Sequence, residues 1–358
     1  MIDQIDIKRD CRHFVGYIPC KPHKEYGYHC GDCPKYKPIK EKILIIKLGA
    51  IGDVIRTTPL LHRIWEKFPD AELWWLTYSP EILPSGIDHI LNYCLESMNL
   101  LQAIDFDVVI NLDKDPHACA LTKTLHSQEK LGFTLRSGKP LNINANSRDK
   151  FLTGLFDDLN QQNSKSYLEE IFEICGWNYK GEEYILEFDS SIQWDIPAMG
   201  KKIVGLNTGC GARWTSRLLP DEQWENLIEM LNDNGYFPML LGGEQEHEKN
   251  MELSQRMGVF YPGTFSLQEF ISLMDQCDMI VTGVTMALHI AIGLKKKVVL
   301  MNNIFNPKEF ELFDRGEIIE PDKDCKCFFR PKCINDDYNC MEHLPAKKLY
   351  EAVNRNLL

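Results

Sequence analysis

Residues 43–61 read ILIIKLGAIGDVIRTTPLL, and this stretch decides the fold class. Its unbroken apolar run, Ile43 to Ile46, is the pattern of a strand buried on both faces of a parallel sheet. A glycine loop follows at Gly49 and Gly52, and then a helical pattern over 53–67 carrying Ile55, Leu60, Leu61 and Ile64. Strand, glycine turn and helix start together aim backbone N–H groups and the positive end of the helix dipole at a ligand. Asp53 stands where that helix begins. From these residues alone it is either a first-turn cap, which Asp favours, or a carboxylate facing a ligand.

Working outward, strands and helices alternate. ELWWLT (72–77) and DVVINLD (107–113) read as strands, a helical stretch starts near Pro116, EKLGFTL (129–135) is a further strand and SYLEEIFEICGW (166–177) a helix. Such alternation implies right-handed β-α-β units in a doubly wound sheet. Residues 178–200 are less regular and read as a linker, after which the pattern restarts. KIVGLNTG (202–209) is a strand into a glycine loop, and the helix after it opens at Pro220 and closes at Gly235. FPMLLGG (237–243) and MIVTG (279–283) are strands, as are VFYPG (259–263) and KVVLMNN (297–303). Helices fall at 247–258, at 266–277 with Ser266 as a cap, and at 285–294. The fold class is therefore α/β, with two Rossmann-like domains in series facing across a ligand cleft. Expected divisions are a cysteine-rich extension at 1–40, a first domain at 41–180, a second at 200–320, and a cysteine-rich segment with a closing helix at 321–358. That helix, 345–357, is expected to fold back over the first domain.

The chain of 358 residues carries a net charge of −12, which excludes the broad basic surface that nucleic-acid binding needs. No apolar run approaches the roughly 20 residues of a membrane span. The opening MIDQIDIKRD lacks the apolar core of a secretory signal, so the expected compartment is the cytoplasm.

Of the 13 cysteines, eight cluster towards the ends. Cys11, Cys20, Cys30 and Cys33 form one set, and Cys325, Cys327, Cys333 and Cys340 the other. In a reducing compartment this spacing points to metal rather than disulfides. Cys30-x-x-Cys33 and Cys325-x-Cys327 each put two thiolates on a short loop, as tetrahedral zinc requires, with His13, His23 and His29 as further ligands. A structural zinc at each end is the expectation. Iron, an iron–sulfur centre and free thiols remain open.

Four stretches in order, IKLGAIGDVIRTTPLL, NTGCGARWTSRLLPDEQW, LLGGEQEHEKN and VTGVTMALHIAIGLKKKVV, resemble glycosyltransferase family 9, the ADP-heptose lipopolysaccharide heptosyltransferase family. The resemblance covers roughly residues 43 to 312 and leaves the cysteine-rich ends outside it. It implies a GT-B fold and inverting transfer without a catalytic metal. The implied reaction moves a heptose or related sugar from an ADP-sugar to a lipopolysaccharide-core-like glycan of the cell envelope, with peripheral contact at the inner membrane. Asp53 matches the family's catalytic aspartate, where a carboxylate removes the acceptor hydroxyl's proton. Gly49 and Gly52 form its loop. Lys47, at the strand end, matches a family lysine that neutralises phosphate or orients Asp53; its other reading is a solvated strand end.

The nucleotide side falls in the second domain. Asn207, Thr208 and Gly209 form the first loop, where Thr208 offers a hydroxyl to phosphate and glycine permits close approach. Arg217 stands where the family has a phosphate-facing cation, with Arg213 as the alternative. Glu244 can accept ribose hydroxyls, with Glu246 as its neighbour and both readable as helix-start acids. Thr282, Gly283 and Thr285 open a helix whose N-terminus suits pyrophosphate. His289 matches a recurrent histidine, although a lone helix histidine is more often structural. Val284 departs from a common aspartate after TG, and Cys210 from a small apolar residue. Three other readings stand beside transfer to a glycan. One is a protein acceptor, and one a metal-binding redox or regulatory protein on a degenerate core. The third, a nicotinamide-dependent oxidoreductase, is opposed because LGAIGD is not G-x-G-x-x-G.

Overall fold

The structure, a computed structural model, describes residues 6–211 and 213–358. It holds two parallel-sheet units. Of the described residues, the first gathers 6–48, 60–81 and 85–147; the second gathers 49–59, 82–84 and those from 148 on. Residues 148–180, placed with the first domain by sequence, thus cluster with the second unit.

The first unit contains β1 (Lys42–Ile46), β2 (Glu72–Thr77), β3 (His89–Asn92), β4 (Asp105–Asn111), β5 (His126–Arg136) and β6 (Lys139–Asn142). The order is β3-β2-β1-β4-β5-β6, parallel except for the final antiparallel pair. Ile45 pairs in register with Trp75 on one side and Ile110 on the other, so β1 is central and its apolar run is buried as its composition requires. One face of this sheet packs Leu44, Ile46, Leu76 and Val109 against Ala118 and Leu121 of the helix Pro116–Thr124. Asp115 caps that helix through the backbone N–H groups of His117 and Ala118.

The second unit contains β7 (Ile203–Asn207), β8 (Phe237–Leu241), β9 (Met279–Gly283), β10 (Lys297–Met301) and β11 (Gly316–Ile319), all parallel, in the order β11-β10-β9-β7-β8. Its core joins Val204, Leu206 and Val281 to Trp224, Leu227 and Leu231 of the helix Asp221–Asp233. Ser266 caps the helix Leu267–Asp275 in a reciprocal box with Glu269.

Three expectations are corrected. The helix expected over 53–67 is two, Ile51–Ile55 and Leu60–Lys67. The hydroxyls of Thr57 and Thr58 donate back to the carbonyls of Val54 and Ile55 at 2.6 and 2.8 Å, and Pro59 lacks the N–H that would continue the ladder. VFYPG makes a single bridge, Met239 to Phe260, rather than a strand. The closing helix Ala346–Leu357 packs Leu349, Val353 and Leu357 into the core of the second unit, not over the first domain, because its apolar stripe meets Trp224 and Val204 there.

Candidate active site

In open parallel sheets a ligand sits beyond the carboxyl ends of the strands, where strand order reverses. In the second unit that point lies between β7 and β9, and both strands end there in polar residues. Asn207 Nδ2 donates to Thr282 Oγ1 at 3.0 Å, to Thr285 Oγ1 at 3.3 Å and to the Gly209 carbonyl at 3.2 Å. Gly283 closes β9, and Thr285 precedes the helix Met286–Gly293 in extended conformation. The sequence-derived set Asn207, Gly209, Thr282, Gly283 and Thr285 is therefore brought to one place. Thr208 turns elsewhere: buried, it donates to Asn250 Oδ1 at 2.6 Å and ties β7 to the helix His247–Met257.

Arg217 links the two loops. Its guanidinium donates to the Cys210 carbonyl at 3.1 Å and to the Val284 carbonyl, and lies 5.4 Å over the Phe305 ring. It is only 9% exposed, its Nε has no hydrogen-bond partner, and no carboxylate pairs with it among the described residues. Burial lowers its pKa, yet a guanidinium keeps its charge. A buried cation held only by carbonyls is costly unless an anion joins it. Arg213, by contrast, is exposed, with its guanidinium 5.6 Å over the Trp214 ring.

The turn that carries Arg217 is braced by the second cysteine segment. Ser216 Oγ donates to the Arg330 carbonyl at 2.7 Å, and its backbone N–H donates to Pro331 at 3.1 Å. Asn303 Nδ2 joins the Ser216 carbonyl at 2.8 Å to Cys340 Sγ at 3.3 Å. Within that segment Cys327 and Cys333 lie 3.6 Å apart, and the Cys325 and Cys340 thiols share a hydrogen bond. All 13 cysteines are free thiols. Among the described residues no three ligating side chains are grouped around one metal-ion position.

The glycine loop bearing Asp53 packs in the same unit. A Cβ on Gly52 would fall 2.5 Å from His289 Cδ2 and 3.4 Å from Met286 Cα, so only glycine lets the helix Ile51–Ile55 meet the start of the helix Met286–Gly293. Gly49 opens the loop. Asp53, 35% exposed at its side chain, pairs with Arg56 Nη2 at 2.8 Å, and Arg56 in turn lies 3.5 Å over the Tyr167 ring. His289 is buried against Tyr184, whose hydroxyl is 3.4 Å from Nδ1.

Burial, reinforced by the Arg56 charge, pushes the His289 pKa down from its ordinary 6.5 to about 3. The unfolded chain then gains a proton near 6.5 that folded His289 refuses until about 3, so its contribution to stability is complete above 6.5 and declines as pH falls through that window. His289→Gln should therefore lose less of its urea midpoint between pH 7 and pH 5 than the wild type does. Equal losses in the two proteins would show that His289 is not held neutral by the fold.

Glu244 is exposed at the loop after β8 and accepts a hydrogen bond from Thr264 Oγ1 at 2.9 Å. Glu246 instead folds over the glycines: a Cβ on Gly209 would meet its carboxyl carbon at 2.2 Å, and its Oε2 accepts the Gly243 N–H at 3.1 Å. In the first unit strand order reverses between β1 and β4, and Lys47 sits at that point. It is buried, with Nζ 2.6 Å from Asp113 Oδ1, and Asp113 Oδ2 also accepts the Leu48 N–H at 2.5 Å. Sequence reasoning missed Asp113, although a carboxylate closing the apolar run DVVINLD was visible. It also missed Arg56, legible three residues after Asp53, and Tyr184, which has no local signal.

Residues 98–336 match glycosyltransferase family 9 (heptosyltransferase). The match takes in three of the four motifs and Cys325, Cys327 and Cys333, and starts after the Asp53 loop. The lipopolysaccharide core heptosyltransferase OpsX of Haemophilus influenzae is 26% identical over 138 residues, 35% of this chain and 40% of that protein. The chain thus matches well under half the length of this relative. The glycosyl transferase family 9 structure from Veillonella parvula is 16% identical, with a TM-score of 0.65 over 89% of this chain and 97% of that one. The E. coli heptosyltransferase WaaC with ADP-2-deoxy-2-fluoro heptose is 16% identical, with a TM-score of 0.60 over 88% and 99%. These likenesses give the fold, two Rossmann-like domains of the GT-B type.

Proposed function

The chain belongs to glycosyltransferase family 9, and from that membership we propose that it transfers a heptose or related sugar from an ADP-sugar, with inversion, to a cell-envelope glycan, with Asp53 as general base. The observation that carries this reading is the Arg217 guanidinium, buried without a carboxylate where strand order reverses. A diphosphate there would satisfy it, with the N-terminus of the helix Met286–Gly293 supplying N–H groups and dipole. As the bond to the leaving diphosphate breaks, negative charge grows on oxygen, and a fixed cation lowers the barrier. Gly52 sets the Asp53 helix against Met286, the first residue of that same helix. The acceptor oxygen attacks the anomeric carbon while its proton passes to the Asp53 carboxylate, and ADP departs from the opposite face. Arg56 holds that carboxylate in place. The leaving charge falls to Arg217 and the helix start, so no metal is assigned to the transfer.

The ADP-heptose donor is supported by the similar structure named with an ADP-heptose analogue, and the envelope acceptor by the similar lipopolysaccharide core enzyme. We place the reaction in the cytoplasm, at the inner-membrane face where such an acceptor is reached. No helix of the described residues is long and apolar enough to cross a membrane.

A thermal-shift panel of ADP, UDP, GDP and NAD tests the donor. A ligand at a hundredfold its Kd adds about 2.7 kcal/mol to folded-state stability, so ADP should raise the melting temperature most. Stabilisation by NAD and by no nucleoside diphosphate would contradict the proposal.

A further inference from the structure

Near the start of the described chain, Phe14, Val15, Tyr17 and Ile18 all stand in solvent, Tyr17 at 85% exposure. Single exposed apolar side chains are ordinary, but a contiguous group of them marks a contact surface. Local chemistry puts this group outside. The Phe14 N–H donates to the Cys11 carbonyl at 2.8 Å and closes a turn. Gly16, with φ of 82°, then bends the chain through a left-handed conformation that glycine takes readily. Beyond Pro19 the helix Lys21–Tyr26 begins, with Pro22 in its first turn. Residues 14–18 therefore form an apolar tip between two ordered flanks.

The base of the tip is fastened to the first unit. Arg12 donates to the Ala71 carbonyl at 2.6 Å and pairs with Asp88. Lys40 pairs with Asp70 at 2.6 Å, and the Ile39 N–H donates to the Asp10 carbonyl at 2.7 Å.

Charge sets the segment apart from the rest of the protein. Residues 6–40 hold eight Lys and Arg against four Asp and Glu, in a chain of net charge −12. Three of those carboxylates are engaged within the segment: Asp6 with Lys8 at 2.7 Å, Glu25 with Lys21 at 3.7 Å, and Asp10 with the Tyr36 hydroxyl. Arg9, Lys24, Lys35 and Lys37 are exposed. Lys8, Phe14, Tyr28 and Tyr36 wall one shallow hollow, so cations and rings share a surface.

We propose that this segment docks the protein on an anionic lipid bilayer. The side chains of Val15, Tyr17 and Ile18 enter the interface, and Arg9, Lys24, Lys35 and Lys37 meet its headgroups. A stable protein partner would take about 800 Å² from each side, more than a tip of a few side chains offers. Insertion asks only that those side chains pass the headgroup layer, where tyrosine is at home. A short apolar insertion and a few surface cations are each weak anchors, and together they hold a protein at a membrane. The inference uses no residue of the sugar-transfer site, and it supplies the contact that a reaction at the inner-membrane face requires.

The test is co-sedimentation of the purified full chain with vesicles, read without donor or acceptor so that it stands or falls apart from sugar transfer. Vesicles of equal parts phosphatidylcholine and phosphatidylglycerol should bind the protein, and phosphatidylcholine alone should not. Binding should weaken as salt is raised from about 0.1 M to 1 M, where the screening length falls from about 10 Å to about 3 Å. Tyr17→Ser/Ile18→Ser and Lys24→Ala/Lys35→Ala should each reduce affinity by about tenfold or more. Leu155→Ser/Phe156→Ser, an exposed apolar pair in the second unit, should bind as the wild type does. If a variant does not fold, the lipid and salt dependence of the wild type still decides. No binding to the mixed vesicles, equal binding to both kinds, or undiminished binding by the folded tip variant would each overturn the proposal. So would self-association that the tip variant abolishes in a protein that binds no vesicle, which would give the tip to a second copy of the chain.

Discussion

Asp53→Asn is expected to lower sugar transfer by about a hundredfold or more while leaving ADP affinity nearly unchanged. The amide keeps the size of the carboxylate and still reaches Arg56, now 2.8 Å from Asp53, but it cannot accept the proton of the attacking hydroxyl. The proposed nucleotide site uses the loops after β7 and β9, which the substitution leaves in place. Steady-state turnover and calorimetric ADP binding on the same preparation separate the two effects. Near wild-type turnover would reduce Asp53 to a first-turn acid that anchors Arg56.

Arg217→Ala should damage binding and chemistry together. Removing the guanidinium leaves the Cys210 and Val284 carbonyls without their donor and exposes diphosphate charge in both ground and transition states. The loss in kcat/KM should reach about a hundredfold to a thousandfold, the scale of losing one preorganised donor to developing charge. Arg217→Lys should recover part of it, because an ammonium keeps the charge but cannot span both carbonyls as the planar fork does. If ADP affinity instead survives in Arg217→Ala and collapses in Arg213→Ala, the exposed arginine is the phosphate ligand.

Local chemistry made much of this legible in the sequence. Ile43 to Ile46, ELWWLT and MIVTG are short apolar runs bounded by glycine or polar residues, and each is a buried parallel strand. Ser266 marked the start of its helix as a cap, and the structure completes the box with Glu269. Where tertiary partners decide, reading failed. The break at Thr57 and Thr58 depends on hydroxyls returning to the backbone, and the docking of Ala346–Leu357 depends on which core its stripe meets.

The site divides along the same line. Asn207, Thr282 and Thr285 could be paired because each closes a strand or opens a helix, and strand ends converge in a doubly wound sheet. Thr208 has the same local context, yet its hydroxyl goes to Asn250, forty-two positions along the chain. Lys47 pointed to a charged strand end, but its buried partner Asp113 lies sixty-six positions away. No periodicity records such pairings.

The most direct test is transfer from ADP-heptose to a lipopolysaccharide-core glycan by the purified full-length protein, with the anomeric configuration of the product read by NMR. The account predicts ADP release that depends on the acceptor and a product of configuration opposite to the donor's. Retained configuration, or no transfer by folded protein that binds ADP, would contradict it.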